Sequence, residues 1–112
     1  MKNMYSYKEN KLYIGEKELI CKEKIVEIIE FEEQLVIRIK YTNHNPTNNV
    51  FAIDFFGNII WEIDCVVKPL KSQTIVSIGK KNDKQISVVA FIGLNFIIDV
   101  ISGEVVEKVI TK

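Results

Sequence analysis

Residues 48–64 read Asn-Asn-Val-Phe-Ala-Ile-Asp-Phe-Phe-Gly-Asn-Ile-Ile-Trp-Glu-Ile-Asp, and this stretch decides the fold. Two short runs of β-branched and aromatic residues flank the segment Asp54-Phe55-Phe56-Gly57. Asp at the first position and Gly at the fourth are typical of a type I turn whose Gly has a positive φ and closes a bulged hairpin. If Asn58 pairs with the Asp of this turn, the pattern predicts Phe51 opposite Trp61 on one buried face. An isolated hairpin is marginal in water, so another layer must cover that face.

The composition predicts one soluble globular domain over residues 1–112. The chain is 47% hydrophobic and 27% charged, and it is long enough to bury one core. Fifteen basic residues balance fifteen acidic ones, which argues against a general nucleic-acid or membrane binder. No signal peptide is visible, and the longest apolar run, residues 88–98, is far shorter than the ~20 residues that span a bilayer. We therefore expect a cytoplasmic protein.

Alternating apolar residues predict strands along almost the whole chain. Residues 24–33 also suit a short helix, but their β-branched pairs favour a strand over residues 24–31. Residues 66–72 contain Pro69, so they form at best an edge strand or a connection. The segment 34–41 alternates as a half-buried strand does. The other predicted strands are 11–14, 18–21, 50–54, 59–64, 74–78, 85–92, 95–100 and 104–110.

The sequence also contains an internal repeat. Residues 51–62 match residues 96–108, since each stretch has an apolar strand, an Asp, a turn with Gly and a second apolar run. Another strand pair precedes each copy, which predicts two four-stranded meanders after a first hairpin; alternatively, the general hairpin pattern simply occurs twice. The Asp-turn-Gly pattern is similar to a blade of the quinoprotein-type β-propellers, but two blades cannot close a ring that needs about four. The sequence therefore predicts an all-β fold, an antiparallel β-sandwich of about 8–10 strands in two packed sheets.

The sequence offers little for catalysis or for metal binding. The single His, His44, lies in a polar loop, and no nucleophile signature accompanies Cys21 or Cys65. One His and two separated Cys are too few for the usual metal sites. Asp54 and Asp99 are interpreted as turn residues whose carboxylates accept backbone N–H groups. We expect no enzyme activity, no cofactor, no metal and two buried free thiols.

Charge is distributed unevenly along the chain. Residues 23–33 hold five Glu against Lys24 alone. A cluster of five lysines in the second half is opposed only by Asp83 and consists of Lys68, Lys71, Lys80, Lys81 and Lys84. This division predicts an acidic side and a basic side. The charges either solvate the surface and protect edge strands or form an acidic surface that docks a basic partner. The second hypothesis assigns partner binding to Glu27, Glu30, Glu32, Glu33, Glu62 and Asp64.

The chain resembles the small bacterial immunity proteins of polymorphic and contact-dependent growth-inhibition toxin systems. The resemblance covers residues 47–64, with the run Asn49-Val50-Phe51-Ala52-Ile53-Asp54, the turn Gly57-Asn58 and the run Ile59-Ile60-Trp61-Glu62-Ile63. It implies a protein that binds one cognate toxin domain, a nuclease and foremost a ribonuclease, and blocks its active site. The family is diverse, so no binding residue transfers by motif.

Nuclease toxins are commonly basic because they bind phosphates, which agrees with an acidic docking surface. The expected partner is therefore the toxin nuclease domain, with no nucleic acid and no membrane, and the expected state is a monomer. The alternative function is a propeller-like fragment that acts as a homo-oligomeric interaction or structural module. A β-barrel that binds a small molecule has the same strand pattern.

Overall fold

The computed structural model describes residues 5–44, 47–66, 74–91 and 93–110, which form three antiparallel sheets. Sheet A consists of β1 (Tyr5–Lys8), β2 (Lys11–Ile14) and β3 (Lys17–Ile20), in that order. Sheet B consists of β4 (Ile25–Glu30), β5 (Gln34–Ile39), β6 (Val50–Asp54) and β7 (Ile59–Glu62), which a helical turn α1 (Ile63–Val66) follows. Sheet C consists of β8 (Ile75–Lys80), β9 (Gln85–Ala90), β10 (Leu94–Asp99) and β11 (Val105–Ile110).

The predicted all-β antiparallel sandwich is confirmed, but it has three layers instead of two. Sequence reasoning missed β1, which turns the predicted first hairpin into a complete third sheet. Residues 24–31 are a strand, not a helix. Most of the uncertain segment 66–72 lies outside the described residues. In the described part of the chain, no helix is long and apolar enough to cross a membrane.

Sheet B is the middle layer, and its two faces belong to two different cores. Leu35 and Ile37 of β5 pack with Leu12 of sheet A, whereas Val36 packs with residues of sheet C. The prediction that β5 is half-buried is therefore wrong, because both of its faces are covered. The A–B core consists of Leu12, Ile14, Ile25, Leu35, Ile37, Ile39 and Ile53. The B–C core consists of Phe31, Val36, Val50, Ala52, Trp61, Ile63, Ile75, Ile86, Val88, Ala90, Phe96, Ile98 and Val100.

The turn between β6 and β7 has the predicted form. Gly57 has a φ of 91°, and its N–H donates to the carbonyl oxygen of Asp54 over 3.2 Å. Oδ1 of the same Asp accepts the backbone N–H groups of Phe56 and Asn58, both at 2.9 Å. These hydrogen bonds, the one from Asn58 first, hold the pKa of the Asp54 carboxyl below its ordinary value. The carboxylate thus stabilises the turn, as the sequence predicted.

The strand register beyond this turn differs from the prediction. Ile53 faces Ile59, but Trp61 faces Ala52 and Phe51 faces Glu62. The predicted pairing of Phe51 with Trp61 is wrong because the strand bulges by one residue between these pairs, which reverses the alternation of faces. As a result Trp61, only 7% exposed, lies in the B–C core. Phe51 packs on the opposite face, against the A–B core.

Sheets B and C repeat one structure, which favours a true internal repeat over two unrelated hairpins. Each sheet is a four-stranded meander, and the register shifts by one residue at matching places in both. Gln34 faces Asp54 in one copy, and Gln85 faces Asp99 in the other. The second turn also ends in a glycine with positive φ, Gly103 at 78°.

The cysteines differ from one another. Both are free. Cys21 is half-buried, and this burial raises the pKa of its thiol. Cys65 is exposed on α1, so the expectation of a second buried thiol is wrong. A short surface turn leaves its side chain without a covering layer.

Candidate functional site

An open groove of about 670 Å³ lies between sheets B and C, at the end of the molecule where β4 turns into β5. We call it the B–C groove. Its sheet B side is formed by charged residues of the β4–β5 turn, and its sheet C side by charged residues of the β8–β9 turn. Its lining consists of Glu30, Phe31, Glu32, Glu33, Gln34, Lys80, Asp83, Lys84, Val100 and Ile101.

Hydrogen bonds and packing fix the floor of the B–C groove. Phe31 is buried, and Nζ of Lys80 lies 4.9 Å from the centroid of its ring. The same ammonium group donates to the backbone oxygen of Glu30 over 3.3 Å. Gln34 Nε2 donates to the carbonyl oxygen of Val100 over 3.2 Å, in a pair that joins the two sheets. The groove therefore has a rigid base under a charged rim.

Four carboxylates and two ammonium groups line the groove, so its charge is negative on balance. Both lysines also act within the protein. The ammonium group of Lys80 contacts the ring of Phe31 and the backbone oxygen of Glu30. Hydrogen bonds from Ser102 hold the pKa of Asp99 below its ordinary value, and the positive charge of Lys84 adds to this effect. The predicted separation into an acidic side and a basic side is wrong here, because the glutamates and these lysines face one groove. The two turns lie at the same end of the stack because the repeat places them at equivalent positions.

The groove brings together three of the six carboxylates that the sequence hypothesis named. Glu30, Glu32 and Glu33 are exposed and line it together. Strand alternation would have placed Glu33 opposite Glu32, but β4 ends at Glu30 and the two later residues belong to the turn. These three side chains can reach a partner at this end of the molecule.

Glu27 has a different environment. Its Oε1 lies 3.0 Å from Nη2 of Arg38, whose side chain is only 14% exposed. Its Oε2 accepts the backbone N–H of Ile78 over 3.1 Å, which joins β4 to β8. The side chain therefore links sheets B and C. Nε of Arg38 is buried, and it has no hydrogen-bond partner among the described residues.

Glu62 and Asp64 lie at the opposite end of sheet B. Asp54 and Gln34 mark the groove end, and Glu62 faces Phe51, further along β6. Oε1 of Glu62 accepts Nδ2 of Asn48 over 2.8 Å, and Oδ1 of Asn48 accepts the N–H of Asp64 over 3.0 Å. Both acidic residues therefore anchor the loop before β6. A flat partner surface at the B–C groove does not reach them.

Glu62 instead borders a smaller groove, of about 230 Å³, between sheets A and B. Its lining is mostly apolar and includes Leu19, Phe51 and Ile59, while the charged residues among its described lining are Lys22 and Glu62. The six carboxylates thus divide among three places: the B–C groove, the β4–β8 contact and the far end of sheet B.

The described residues contain no group of three or more His, Cys, Asp or Glu side chains placed to hold a metal ion. His44 lies exposed in the loop after β5, where its backbone N–H donates to Oγ1 of Thr42 over 3.2 Å.

A family model described as a domain of unknown function, DUF7957, matches residues 2–110. The chain belongs to the DUF7957 family. The match spans all three sheets, so the sandwich as a whole is the family's domain. No curated protein and no solved structure matches the chain.

Proposed function

We propose that this DUF7957 domain is a non-catalytic binding protein that neutralises a basic partner protein by docking the B–C groove over its active site. The observation that carries the proposal is the groove itself, where exposed Glu30 at the end of β4 and Glu32 and Glu33 in the turn after it stand above a base held by hydrogen bonds. Carboxylates so placed attract a basic surface and speed its association. The resemblance to immunity proteins suggests the partner: a toxin nuclease, foremost a ribonuclease, whose cleft must bind phosphates.

A double charge reversal tests this function. Glu32→Lys and Glu33→Lys together should slow association with the cognate toxin domain, which is sought first in the neighbouring gene, and flatten its salt dependence. If either glutamate is buried in the complex, its loss should also speed dissociation and weaken the binding free energy by about 2–5 kcal/mol. Glu107→Lys, at an exposed position on β11 far from the groove lining, is the control. The proposal fails if the double variant protects the cell from the toxin as well as the wild type does, or if only Glu107→Lys weakens binding.

The stack of sheets favours a second candidate, a propeller-like module that assembles with copies of itself. The equivalent face of the repeat packs toward sheet A in sheet B and toward sheet B in sheet C. Successive blades of a propeller pack in the same manner. The outer face of sheet C continues that series, but it carries Ser87 and Asn95, which hydrogen-bond each other over 2.7 Å. Polar residues on the outer face are typical of a terminal repeat, although Ile97 on the same face is buried. Light scattering at micromolar concentration discriminates, since a stable ring would favour this candidate over the first.

A further inference from the structure

Sheet A corresponds to the last three strands of the repeat and lacks the first. In sheets B and C, the glycine turn of each repeat rests on a side chain from the outer strand of the preceding sheet. A Cβ at Gly103 would lie 3.0 Å from the ring of Trp61 in β7, and a Cβ at Gly57 would lie 3.0 Å from Cδ of Lys17 in β3. Nζ of Lys17 also donates to the carbonyl oxygen of Phe56 over 2.7 Å. These matching contacts align β3 with β7, and therefore β1 with β5.

The strand that β4 supplies in sheet B, and β8 in sheet C, has no counterpart in sheet A. The edge of β1 where that strand would pair has no strand beside it among the described residues. β4 extends below this vacant position. The N–H of Ile25 donates to the carbonyl oxygen of Glu9, just after β1, over 2.8 Å. Ile28, further along β4, packs only partly against the A–B core, so an apolar floor lies under the position.

We propose that sheet A accepts a fourth strand along β1, donated by an extended segment of a separate partner polypeptide. Addition of a strand to a sheet edge is a common mode of peptide recognition, in which main-chain hydrogen bonds provide affinity and alternate side chains provide selectivity. This proposal is independent of the charged B–C groove.

The two first strands of the repeat specify the chemistry of the donated segment. β4 begins Ile-Val-Glu-Ile and β8 begins Ile-Val-Ser-Ile. In both, the first Ile is buried, the register shifts at the Val and the second Ile packs partly against a core. The fitting partner therefore presents an extended Ile-Val-x-Ile segment that runs antiparallel to β1.

Geometry disfavours a second copy of the chain as the donor. If β1 paired with β1 of another copy, the sheet B beneath that copy would collide with β4, which already occupies the layer below the vacant position. Another edge strand, β11 of sheet C, has Glu107 and Lys108 at its centre. Charged residues on an edge strand are a device that protects it from pairing with another chain. β1 has no charged residue before Lys8, at its end.

A labelled peptide with the sequence of residues 74–80, Thr-Ile-Val-Ser-Ile-Gly-Lys, tests the proposal on the full chain. We expect saturable binding by fluorescence anisotropy, and slower amide hydrogen exchange at residues 5–8 but not at residues 105–110. A peptide with Pro in place of the Val and of the second Ile lacks two backbone donors and should bind at least about tenfold more weakly. Absence of binding at millimolar peptide, or protection of β11 instead of β1, would overturn the proposal.

Two variants locate the peptide independently. Ile28→Lys places a charge on the floor of the vacant position and should abolish peptide binding. Ile59→Lys, at an isoleucine that is already 58% exposed on β7 of the same sheet, should bind the peptide as the wild type does. Thermal melts establish that both variants are folded. Equal binding by the two variants would contradict the assignment to β1, whatever the affinity.

Discussion

Gly15 and Gly103 both have a positive φ, but their surroundings differ. Adding a Cβ atom at each therefore distinguishes the cost of backbone strain from the cost of a steric clash. Gly15 has a φ of 59°, and a Cβ there would meet no atom within 4 Å. Gly103 has a φ of 78°, and a Cβ there would press on the buried ring of Trp61 at 3.0 Å. Nε1 of Trp61 is fixed in turn by its 2.8 Å hydrogen bond to the carbonyl oxygen of Val100.

Gly15→Ala should therefore cost about 1 kcal/mol of unfolding free energy, the price of a left-handed conformation for a residue with a Cβ. Gly103→Ala should cost more, about 2–4 kcal/mol, because the indole ring must also move. Urea denaturation measures both values. Equal losses would mean that the Gly103 turn does not press on Trp61.

The turn aspartates predict a specific acid dependence of stability. Backbone hydrogen bonds hold the pKa values of Asp54 and Asp99 below the ordinary 3.8. A carboxyl with a lowered folded-state pKa contributes stability above its unfolded pKa and loses that contribution as the pH falls through the folded value. Asp54→Asn and Asp99→Asn keep a side-chain acceptor but remove the titration. We expect each to flatten the decline in melting temperature below about pH 4. Unchanged acid melting curves in the double variant would contradict this assignment.

At the level of elements, the strands were predictable and their registers were not. Alternation and turn residues predicted β2–β11 to within a few positions, because each strand needs one apolar face. The strand bulges by one residue between the pair Ile53–Ile59 and the pair Ala52–Trp61. This bulge places Trp61 in the B–C core, on the face opposite to the predicted one. No residue type in that run marks the inserted position. The internal repeat is the signal that could have found it, since the register shifts at the matching place in β11.

Asn49 links two strands of different sheets, and nothing in the sequence indicated this link. It is 1% exposed, and it joins sheets B and C by donating Nδ2 to the carbonyl oxygen of Ile75 over 2.8 Å and accepting the N–H of the same residue over 3.0 Å. Asn49→Ala leaves these buried groups unpaired, and we expect a loss of about 2–4 kcal/mol in urea denaturation. The matched control is Asn95→Ala on the outer face of sheet C, which should cost less. Equal losses would show that water replaces the Asn49 contacts.

At the scale of the whole molecule, the order of the layers could not be predicted from the sequence. The alternation in β5 predicted one covered face, and it did not reveal that sheets A and C cover both faces. Charge along the chain likewise did not predict the B–C groove. Glu30 and Lys80 are far apart in sequence, yet the repeat sets their turns side by side. Composition alone groups Glu62 with the other acidic residues. It lies at the end of sheet B opposite the B–C groove, because β7 begins near the groove and ends at Glu62.

Because sheet B belongs to both cores, the three layers should unfold as one cooperative unit. Leu12→Ala tests this from the far layer: the side chain is fully buried in the A–B core, and its truncation should cost about 2–5 kcal/mol. Trp61, the only tryptophan, reports from the B–C core. Its fluorescence transition in urea should shift by as much as the far-UV circular dichroism transition does, and Val88→Ala in the B–C core should shift both signals in the same way. If Leu12→Ala produced an early circular dichroism phase and left the tryptophan transition in place, sheet A would be an independent unit. A strand added along β1 could then order sheet A alone, whereas in a single cooperative unit its binding must stabilise all three sheets together.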